Sequence, residues 1–287
     1  MIRPTLLASI LALAFSVAHA AQPLQLKVYN ADGNSFNVNS VLISGEKDAI
    51  VIDAGFTRAD AYRIAANVLD SGKQLKTIYI SQADPDYYFG AEVLKGLFPQ
   101  AEVLASPAVL DRIKAKLPAK VGFWSPKMGA NAPQQPLLPS VYNGNTLTVD
   151  GEKLEIRGLD GALPHRPYVW VPSLRAIVGN IGVFGGLHVW TADTQQASER
   201  KAWLAQLDEM AALKPAIVVP CHMKPGTALD AGNISYTSEY LKRFEQTAQT
   251  TKASAELIEQ MKKAYPQAGL GIALDIGAKV NKGDMKW

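Results

Sequence analysis

Strand-like and helix-like segments alternate along the first half of this 287-residue chain. Two apolar runs, 39–44 and 49–52, flank the turn Gly45–Asp48 and predict a β-hairpin. Apolar residues then recur with helical spacing over 59–69, and a β-rich run follows over 75–81. Helices and strands that alternate in this way pack as helical layers on sheets, so the sequence predicts an α/β fold.

Two of the predicted helices, 59–69 and 195–213, are amphipathic and should each bury one face. The face predicted to be buried in the first helix comprises Tyr62, Ala65, Ala66 and Leu69. The face predicted to be buried in the second comprises Trp203, Leu204, Leu207 and Met210. A third helix is predicted over 107–117. Residues 123–140 contain four prolines and no periodicity, which predicts a long loop of the kind that forms lids or binding loops.

Composition limits the classes of function. Hydrophobic residues make up 48% of the chain, enough for a sizeable core. A formal net charge of +3 is close to neutral and does not indicate nucleic-acid binding. Cys221 is the only cysteine, so the chain has neither an internal disulfide nor a cysteine-rich metal cluster.

The first twenty residues resemble a cleavable secretory signal peptide. Arg3 is their only charge, and the apolar run 6–17 is shorter than the roughly 20 residues that span a bilayer. Ala18-His19-Ala20 has the small-x-small pattern of a cleavage site, which predicts a mature chain starting at Ala21 and a periplasmic or secreted protein. The alternative is an N-terminal membrane anchor or buried helix. No later segment is predicted to span a membrane.

Four segments, in this order, resemble the metallo-β-lactamase superfamily. These are Ala49–Gly55, which ends in Asp-x-Gly; Ser81–Gly90, where the superfamily has Thr-His-x-His-x-Asp-His-x-x-Gly; Ala176–Asn180, which resembles its Gly-Asp strand; and Val218–His222, which resembles its Pro-Gly-His strand. The resemblance implies an αββα four-layer sandwich over 21–287, with a helical C-terminal extension from about residue 228. It also implies a site along the strand ends between the two sheets.

Carried over residue by residue, the metal motif departs from the superfamily pattern. Only Asp86 and His222 match it. The other positions carry Gln82, Asp84 and Tyr87 in place of the three histidines, Asp160 in place of the later histidine, and Asn180 in place of the bridging aspartate. The resemblance therefore does not imply a standard dinuclear zinc centre, which depends on those imidazoles.

The remaining candidate ligands are rich in oxygen. They are Gln82, Asp84, Asp86, Asp160, Asn180 and the single imidazole of His222. Such a set suits one divalent ion, with Zn²⁺, Mn²⁺, Mg²⁺ and Ca²⁺ all left open, or it holds no metal. Because neighbouring buried carboxylates raise one another's pKa, the set favours a bound cation or a cationic ligand group. A plain turn at Asp84-Pro85-Asp86 is the structural alternative.

Several further side chains are candidates for the site. Tyr87 is predicted to act with Asp86 and His222 in catalysis, as a phenolic hydrogen-bond donor. Tyr88, Trp124 and His188 are predicted to line a substrate pocket, with ordinary packing as the alternative for each. Cys221 precedes His222 on a strand and should point to the opposite face, so it is predicted to be a buried small residue.

Two functions follow from this pattern. The first is a metal-dependent hydrolase that uses a metal-bound water to cleave an ester, lactone, amide or phosphoester. The second is a catalytically inactive protein of the same fold that binds a small molecule or an envelope partner. Both predict a small-molecule ligand or substrate and neither involves nucleic acid.

Overall fold

The computed structural model describes residues 23–287. The predicted signal peptide and the Ala20–Ala21 cleavage site lie outside the described residues. Within the described part of the chain, no helix has the length and apolar character needed to cross a bilayer.

The described residues form strands and helices that alternate through the first half of the chain. The strands are β1 (Gln25–Asn30), β2 (Asn39–Ser44), β3 (Asp48–Ile52), β4 (Gln74–Ile80), β5 (Glu102–Ala105), β6 (Ser140–Val141), β7 (Thr146–Val149), β8 (Glu152–Arg157), β9 (Tyr168–Val171), β10 (Ala176–Val178), β11 (Phe184–Gly185), β12 (Ile217–Val218) and β13 (His222–Met223). The α-helices are α1 (Arg58–Ser71), α2 (Pro85–Tyr88), α3 (Ala91–Leu97), α4 (Pro107–Met128), α5 (Ala197–Ala212), α6 (Gly232–Thr250), α7 (Ser254–Ala264) and α8 (Gly271–Lys282).

Two larger sheets form the centre of the molecule. The first has the order β1-β2-β3-β4-β5-β6, antiparallel up to β3 and parallel from β3 to β6. The second has the order β12-β10-β9-β8-β7, and only its β10–β12 pair is parallel. A small parallel pair, β11–β13, lies apart from both. The predicted hairpin is confirmed as β2–β3.

Three apolar clusters define four layers. Between the sheets, Ile43, Ile50 and Ile52 of the first sheet pack with Val169 and Val178 of the second. A second cluster joins the outer face of the first sheet to α1, α3 and α4. A third joins the second sheet to α5, α6, α7 and α8. This is an αββα sandwich, so the predicted α/β class and architecture are confirmed.

Helix α1 was predicted in the right place but with the wrong buried face. A capping box between Thr57 and Asp60 starts it, and Gly72 in the left-handed conformation ends it. Tyr62 and Leu69 are 50% and 67% exposed. Of the predicted face only Ala65 is buried, and it forms the core side of the helix together with Ala61, Ile64 and Val68. The apolar stripe inferred from Tyr62 and Leu69 is therefore rotated around the helix from the face that packs against the sheet.

Helix α4 extends eleven residues beyond the predicted end at Leu117, to Met128, and includes Pro118 and Pro126. The predicted loop 123–140 is therefore wrong over its first part. Each internal proline costs helix stability because it lacks an N–H and crowds the preceding turn. Apolar contacts outweigh this cost here, since Val121, Trp124 and Met128 pack against the first sheet's outer cluster.

The helical extension predicted from about residue 228 corresponds to helices α6, α7 and α8, which begin at Gly232. Helix α5 is confirmed, with Trp203, Leu207 and Met210 buried and Leu204 partly buried. Helices α6, α7 and α8 pack on the same cluster as the second sheet. They complete an outer layer of the sandwich, and α8 also reaches the candidate site described below.

Candidate functional site

The site lies where β3 and β4 end. Asp53 directly follows β3 in a left-handed conformation, with φ of 65°. Its carboxylate accepts hydrogen bonds from the Ser81 backbone N–H at 2.8 Å and hydroxyl at 2.7 Å. Burial raises the pKa of Asp53 to about 8. This buried carboxylate fixes the start of the loop that leads from β4 into α2.

His222 begins β13 and lies at the centre of the site. Its Nδ1 lies 2.9 Å from the carbonyl oxygen of Phe36. A carbonyl only accepts, so Nδ1 carries the proton of the neutral ring and Nε2 presents a lone pair. Nε2 lies 3.2 Å from the Tyr87 hydroxyl and 3.4 Å from Oδ2 of Asp86. The structure therefore brings together all three residues predicted to be catalytic.

The Asp86–His222 contact is not an ordinary ion pair. Burial lowers the pKa of His222 to about 4 and raises the pKa of Asp86 to about 7. Between these two values the proton resides on the Asp86 carboxyl and the imidazole is neutral. The site thus contains an acid and a base in contact, both largely removed from solvent.

Asp84 faces a cation supplied by the protein itself. Its carboxylate lies 3.5 Å from the ammonium group of Lys120 on α4. Burial and the neighbouring Asp193 raise the pKa of Asp84 to about 6, while Lys120 and Lys116 act against that rise. The cation expected beside these acidic residues is present as a lysine side chain, which sequence reasoning missed.

Two of the three remaining predicted ligands are hydrogen-bonded to backbone groups, and the third is exposed to solvent. The Gln82 amide donates to the Pro167 carbonyl at 2.9 Å. Asn180 donates to Val219 and accepts from the backbone N–H groups of Gly182 and Val183, so its amide organises a turn. Asp160 is exposed in the loop after β8 and lines neither pocket of the site. The structure does not bring the side-chain oxygens of Gln82, Asn180 and Asp160 together with Asp86 and His222.

The arrangement of these residues differs from the metal centre that the resemblance implies. Over residues 23–287, no three His, Cys, Asp or Glu side chains are placed to share one ion. Asp86 and His222 are in contact, but Asp84 is paired with Lys120 and two predicted amide ligands are hydrogen-bonded to backbone groups. The donor set in this conformation does not fit a divalent metal.

Above Asp86 and His222 is a cavity of about 210 Å³, here called the aromatic pocket. It is lined by Phe36, Phe56, Asp84, Pro85, Asp86, Tyr87, Lys120, Phe123, Trp124, Ile181, Phe184, Trp190, His222, Leu270, Ile272, Ile276, Met285 and Trp287. Its polar side chains include Asp86, Tyr87 and His222, which contact one another, and the ion-paired Asp84 and Lys120. The walls come from α4, from α8 and from the residues around β11, so distant parts of the chain enclose one space.

The aromatic pocket contains one of the three predicted pocket residues. Trp124 lines it, packed edge-on against Phe36 and Phe56. His188 is buried away from it, with Nδ1 at 3.0 Å from the Tyr240 hydroxyl. Tyr88 is buried in the cluster beneath the first sheet. His188 and Tyr88 therefore pack in the interior, which was the alternative for each.

One wall of the aromatic pocket contains strained backbone. Phe36 has φ of 57°, a left-handed conformation that is unfavourable for a bulky residue. Its ring contacts Phe56 and Trp124, each at a centroid distance of 5.4 Å, and its carbonyl accepts the His222 proton. The strained residue thus orients the central imidazole and forms part of the wall.

A second, smaller cavity adjoins the first and is here called the basic pocket. It is lined by Gln82, Ala83, Asp84, Arg112, Lys116, His165, Arg166, Ile181 and Asp193. His165, in the loop before β9, lines this pocket together with Gln82, whereas the predicted ligand Asp160 does not. Burial and nearby Arg112 lower the pKa of His165 to about 4. Neither His165 nor Arg166 belongs to one of the four motif segments, so the sequence did not predict either residue for the site.

Cys221 occupies the predicted position. It is buried, and its thiol donates to the Val183 carbonyl oxygen. Burial raises the pKa of the thiol. The prediction of a buried small residue is confirmed.

A sandwich of two sheets between helical layers, with its polar site at the strand ends, defines the metallo-β-lactamase class of fold. Residues 33–168 match the sequence profile of the metallo-beta-lactamase superfamily. Residues 33–168 accordingly form a metallo-β-lactamase superfamily domain, and the described chain has the corresponding fold, as its motifs indicated. The degenerate metal motif itself stays a prediction.

Solved structures agree with this assignment. A metallo-β-lactamase from Pontibacter korlensis superposes with a TM-score of 0.55 at 16% identity, covering 78% of this chain and 97% of that chain. A metallo-β-lactamase family protein from Thermus thermophilus superposes with a TM-score of 0.58 at 18% identity, covering 91% of this chain and 93% of that chain. At such identities the likeness concerns the fold alone. Comparison with curated proteins gives no match.

Proposed function

We propose that this protein binds a small, largely apolar molecule in the aromatic pocket, with the polar end of that molecule against Asp86, Tyr87 and His222. The observation that carries the proposal is the lining of the pocket. Aromatic and aliphatic side chains form most of its surface, and a few convergent polar groups lie at one end. Concave sites with this composition are typical of small-molecule binding sites.

The superfamily suggests metallo-hydrolase-like chemistry. The side chains at the metal-ligand positions of this chain favour ligand binding without metal instead. The positions that would hold metal carry Gln82, hydrogen-bonded to Pro167, and Asn180, hydrogen-bonded to Val219. Lys120 next to Asp84 adds a positive charge where a cation would have to enter. Repulsion between that ammonium group and a divalent ion would weaken metal binding.

The test uses a neutral apolar fluorescent dye, N-phenyl-1-naphthylamine, titrated into the purified protein. We expect saturable binding, and Ile272→Glu should lower the affinity by about fivefold or more, because a charge at the pocket edge opposes burial of the dye. Leu97→Glu is the matched control, since Leu97 is 48% exposed outside the pocket and Ile272 is 49% exposed within it. Equal effects of the two substitutions, or no saturable binding, would refute the proposal.

A second candidate is hydrolysis of an ester, lactone, amide or phosphoester. It is favoured by the contact of Asp86, Tyr87 and His222, in which a base and a hydroxyl donor meet at the end of a pocket. The neutral imidazole or the ionised carboxylate would take a proton from water, and Tyr87 would donate to the developing oxyanion. Under this candidate, His222→Gln and Tyr87→Phe abolish turnover of an aryl ester while dye binding is retained.

We also propose that the protein acts outside the cytoplasm, in the periplasm or secreted. The proposal rests on the signal-peptide pattern of the first twenty residues. Expression with the complete N-terminus should give a secreted product whose intact mass corresponds to a chain starting at Ala21. A product that retains residues 1–20 would contradict it.

A further inference from the structure

The basic pocket contains two guanidinium groups that have no carboxylate partner in the part of the chain that the structure describes. Of its two carboxylates, Asp193 is paired with Lys116 at 3.5 Å and Asp84 with Lys120 at 3.5 Å. Asp193 also accepts hydrogen bonds from the indoles of Trp190 and Trp287. Within residues 23–287, neither Arg112 nor Arg166 has a carboxylate oxygen within 4.0 Å. The pocket thus has positive charge left to bind a ligand.

Arg166 is not an ordinary solvent-exposed charge. The residue is only 4% exposed. Its guanidinium lies 4.0 Å from the centroid of the Trp203 ring, and one Nη donates to the Ile181 carbonyl. Its Nε has no hydrogen-bond partner among the described residues. A buried guanidinium N–H without an acceptor is unfavourable, and an entering carboxylate oxygen would satisfy it and add to the attraction that Asp193 already exerts on Arg166.

The size and position of the pocket restrict that anion. Its volume of about 20 Å³ accommodates one or two water-sized atoms. This space suits the oxygens of a carboxylate better than a larger tetrahedral anion. Asp84 and Ile181 line both cavities, so the basic pocket and the aromatic pocket are neighbours that share these two side chains as a wall.

We infer that the basic pocket is a carboxylate subsite, in which Arg112 and Arg166 hold the carboxylate of the same molecule whose apolar part lies in the aromatic pocket. This inference rests on the proposed function and names its ligand class, an amphipathic carboxylic acid. Arginine suits this role because its planar fork pairs with the two oxygens of a carboxylate. Neutral His165 lies beside the two arginines as a further hydrogen-bond donor.

The experiment compares three probes by isothermal titration calorimetry. 4-Phenylbutanoate has both parts of the proposed ligand, 4-phenylbutan-1-ol has the apolar part alone, and acetate has the carboxylate alone. We expect the acid to bind at least about tenfold more tightly than the alcohol, since a charge-assisted hydrogen bond contributes that much or more. Acetate should bind more weakly than the acid.

Arg112→Gln supplies the decisive variant, because Arg112 is half-buried on α4 while Arg166 is in the core and its replacement risks misfolding. We expect this substitution to lower the affinity for the acid about tenfold and to leave the affinity for the alcohol within twofold. Lys114→Gln is the matched control on the same helix, with its side chain exposed and outside both pockets. It should change neither affinity.

The outcomes separate the two proposals. Equal binding of acid and alcohol, or a preference for the acid that survives Arg112→Gln, overturns the carboxylate subsite and leaves the apolar binding site standing. Failure of both phenyl probes overturns both proposals. If acetate binds as tightly as the acid in an Arg112-dependent way, the pocket is a site for small free anions, which overturns the amphipathic ligand.

Discussion

Asp53 is the residue whose ionisation the fold opposes most clearly. It is 2% exposed, and burial raises its pKa from 3.8 to about 8. A carboxyl whose pKa is raised on folding contributes stability that is complete below pH 4, and this contribution is lost as pH rises to about 8. Above that range the folded protein holds a buried charge balanced only by the two Ser81 hydrogen bonds.

We therefore predict that Asp53→Asn stabilises the protein at alkaline pH. Asparagine tolerates the left-handed backbone at this position and can keep the Ser81 contacts. The stability difference between the variant and the wild type should grow by roughly 2 kcal/mol or more between pH 4.5 and pH 9. Urea denaturation of both proteins at the two pH values measures it, and the histidine contributions cancel in the difference. An unchanged difference would contradict the raised pKa.

Some individual residues of the candidate site could be predicted from the sequence. Asp86 and His222 could be predicted because they keep their motif positions, and Tyr87 because it directly follows Asp86. The roles of Gln82 and Asn180 could not be predicted, since their amides are bound to Pro167 and Val219, which lie far away in sequence. Lys120 was missed for the same reason, because α4 brings it to Asp84 from another segment.

The start of α3 depends on a close approach between elements. Gly90 precedes this helix, and a Cβ there would clash with the Ala54 carbonyl oxygen just after β3. The Gly90 N–H donates to Gly55 across the same junction, at 3.0 Å. Only glycine allows the helix to begin this close to the strand end that bears Asp53.

This junction gives a matched pair of glycine substitutions. Gly90→Ala should destabilise the protein by about 2 kcal/mol or more, because backbone must move to relieve the clash. Gly96→Ala, six residues along in α3, should stabilise it by up to about 1 kcal/mol, because nothing lies within 4 Å and alanine favours helix. Thermal and urea denaturation of both variants measure the two effects. Similar signs for the two substitutions would contradict the close approach.

The sequence predicted which segments form strands and helices better than it predicted where these elements end or which of their faces are buried. The β2–β3 hairpin and α5 follow from local patterns, since a turn and a wide apolar stripe mark them. The extension of α4 through Pro118 and Pro126 could not be predicted, because it depends on packing of Trp124 and Met128 against distant residues. Local propensity argues against helix there, and tertiary contacts decide otherwise.

For the whole molecule, the three apolar clusters predict stability that is independent of metal. Dialysis against EDTA should leave the melting temperature unchanged, and excess Zn²⁺ or Mn²⁺ should not raise it, since only a ligand that binds the folded state stabilises it. Differential scanning calorimetry measures both. 4-Phenylbutanoate serves as the positive control, because under the inference above it binds the folded protein and should raise the melting temperature. A fall after EDTA that added metal reverses would refute the prediction.

The burial of Cys221 makes the protein suitable for fluorescent labelling at introduced cysteines, which allows movements around the pocket to be measured. It is the single cysteine of the chain, and its thiol is buried and hydrogen-bonded to Val183. Maleimide dyes should therefore leave the native protein unmodified. A cysteine introduced at exposed Lys114 on α4 would then accept one label on its own, and a second at exposed Lys263 on α7 would make a donor–acceptor pair. Energy transfer between these dyes can follow in real time whether α4 shifts when a ligand enters.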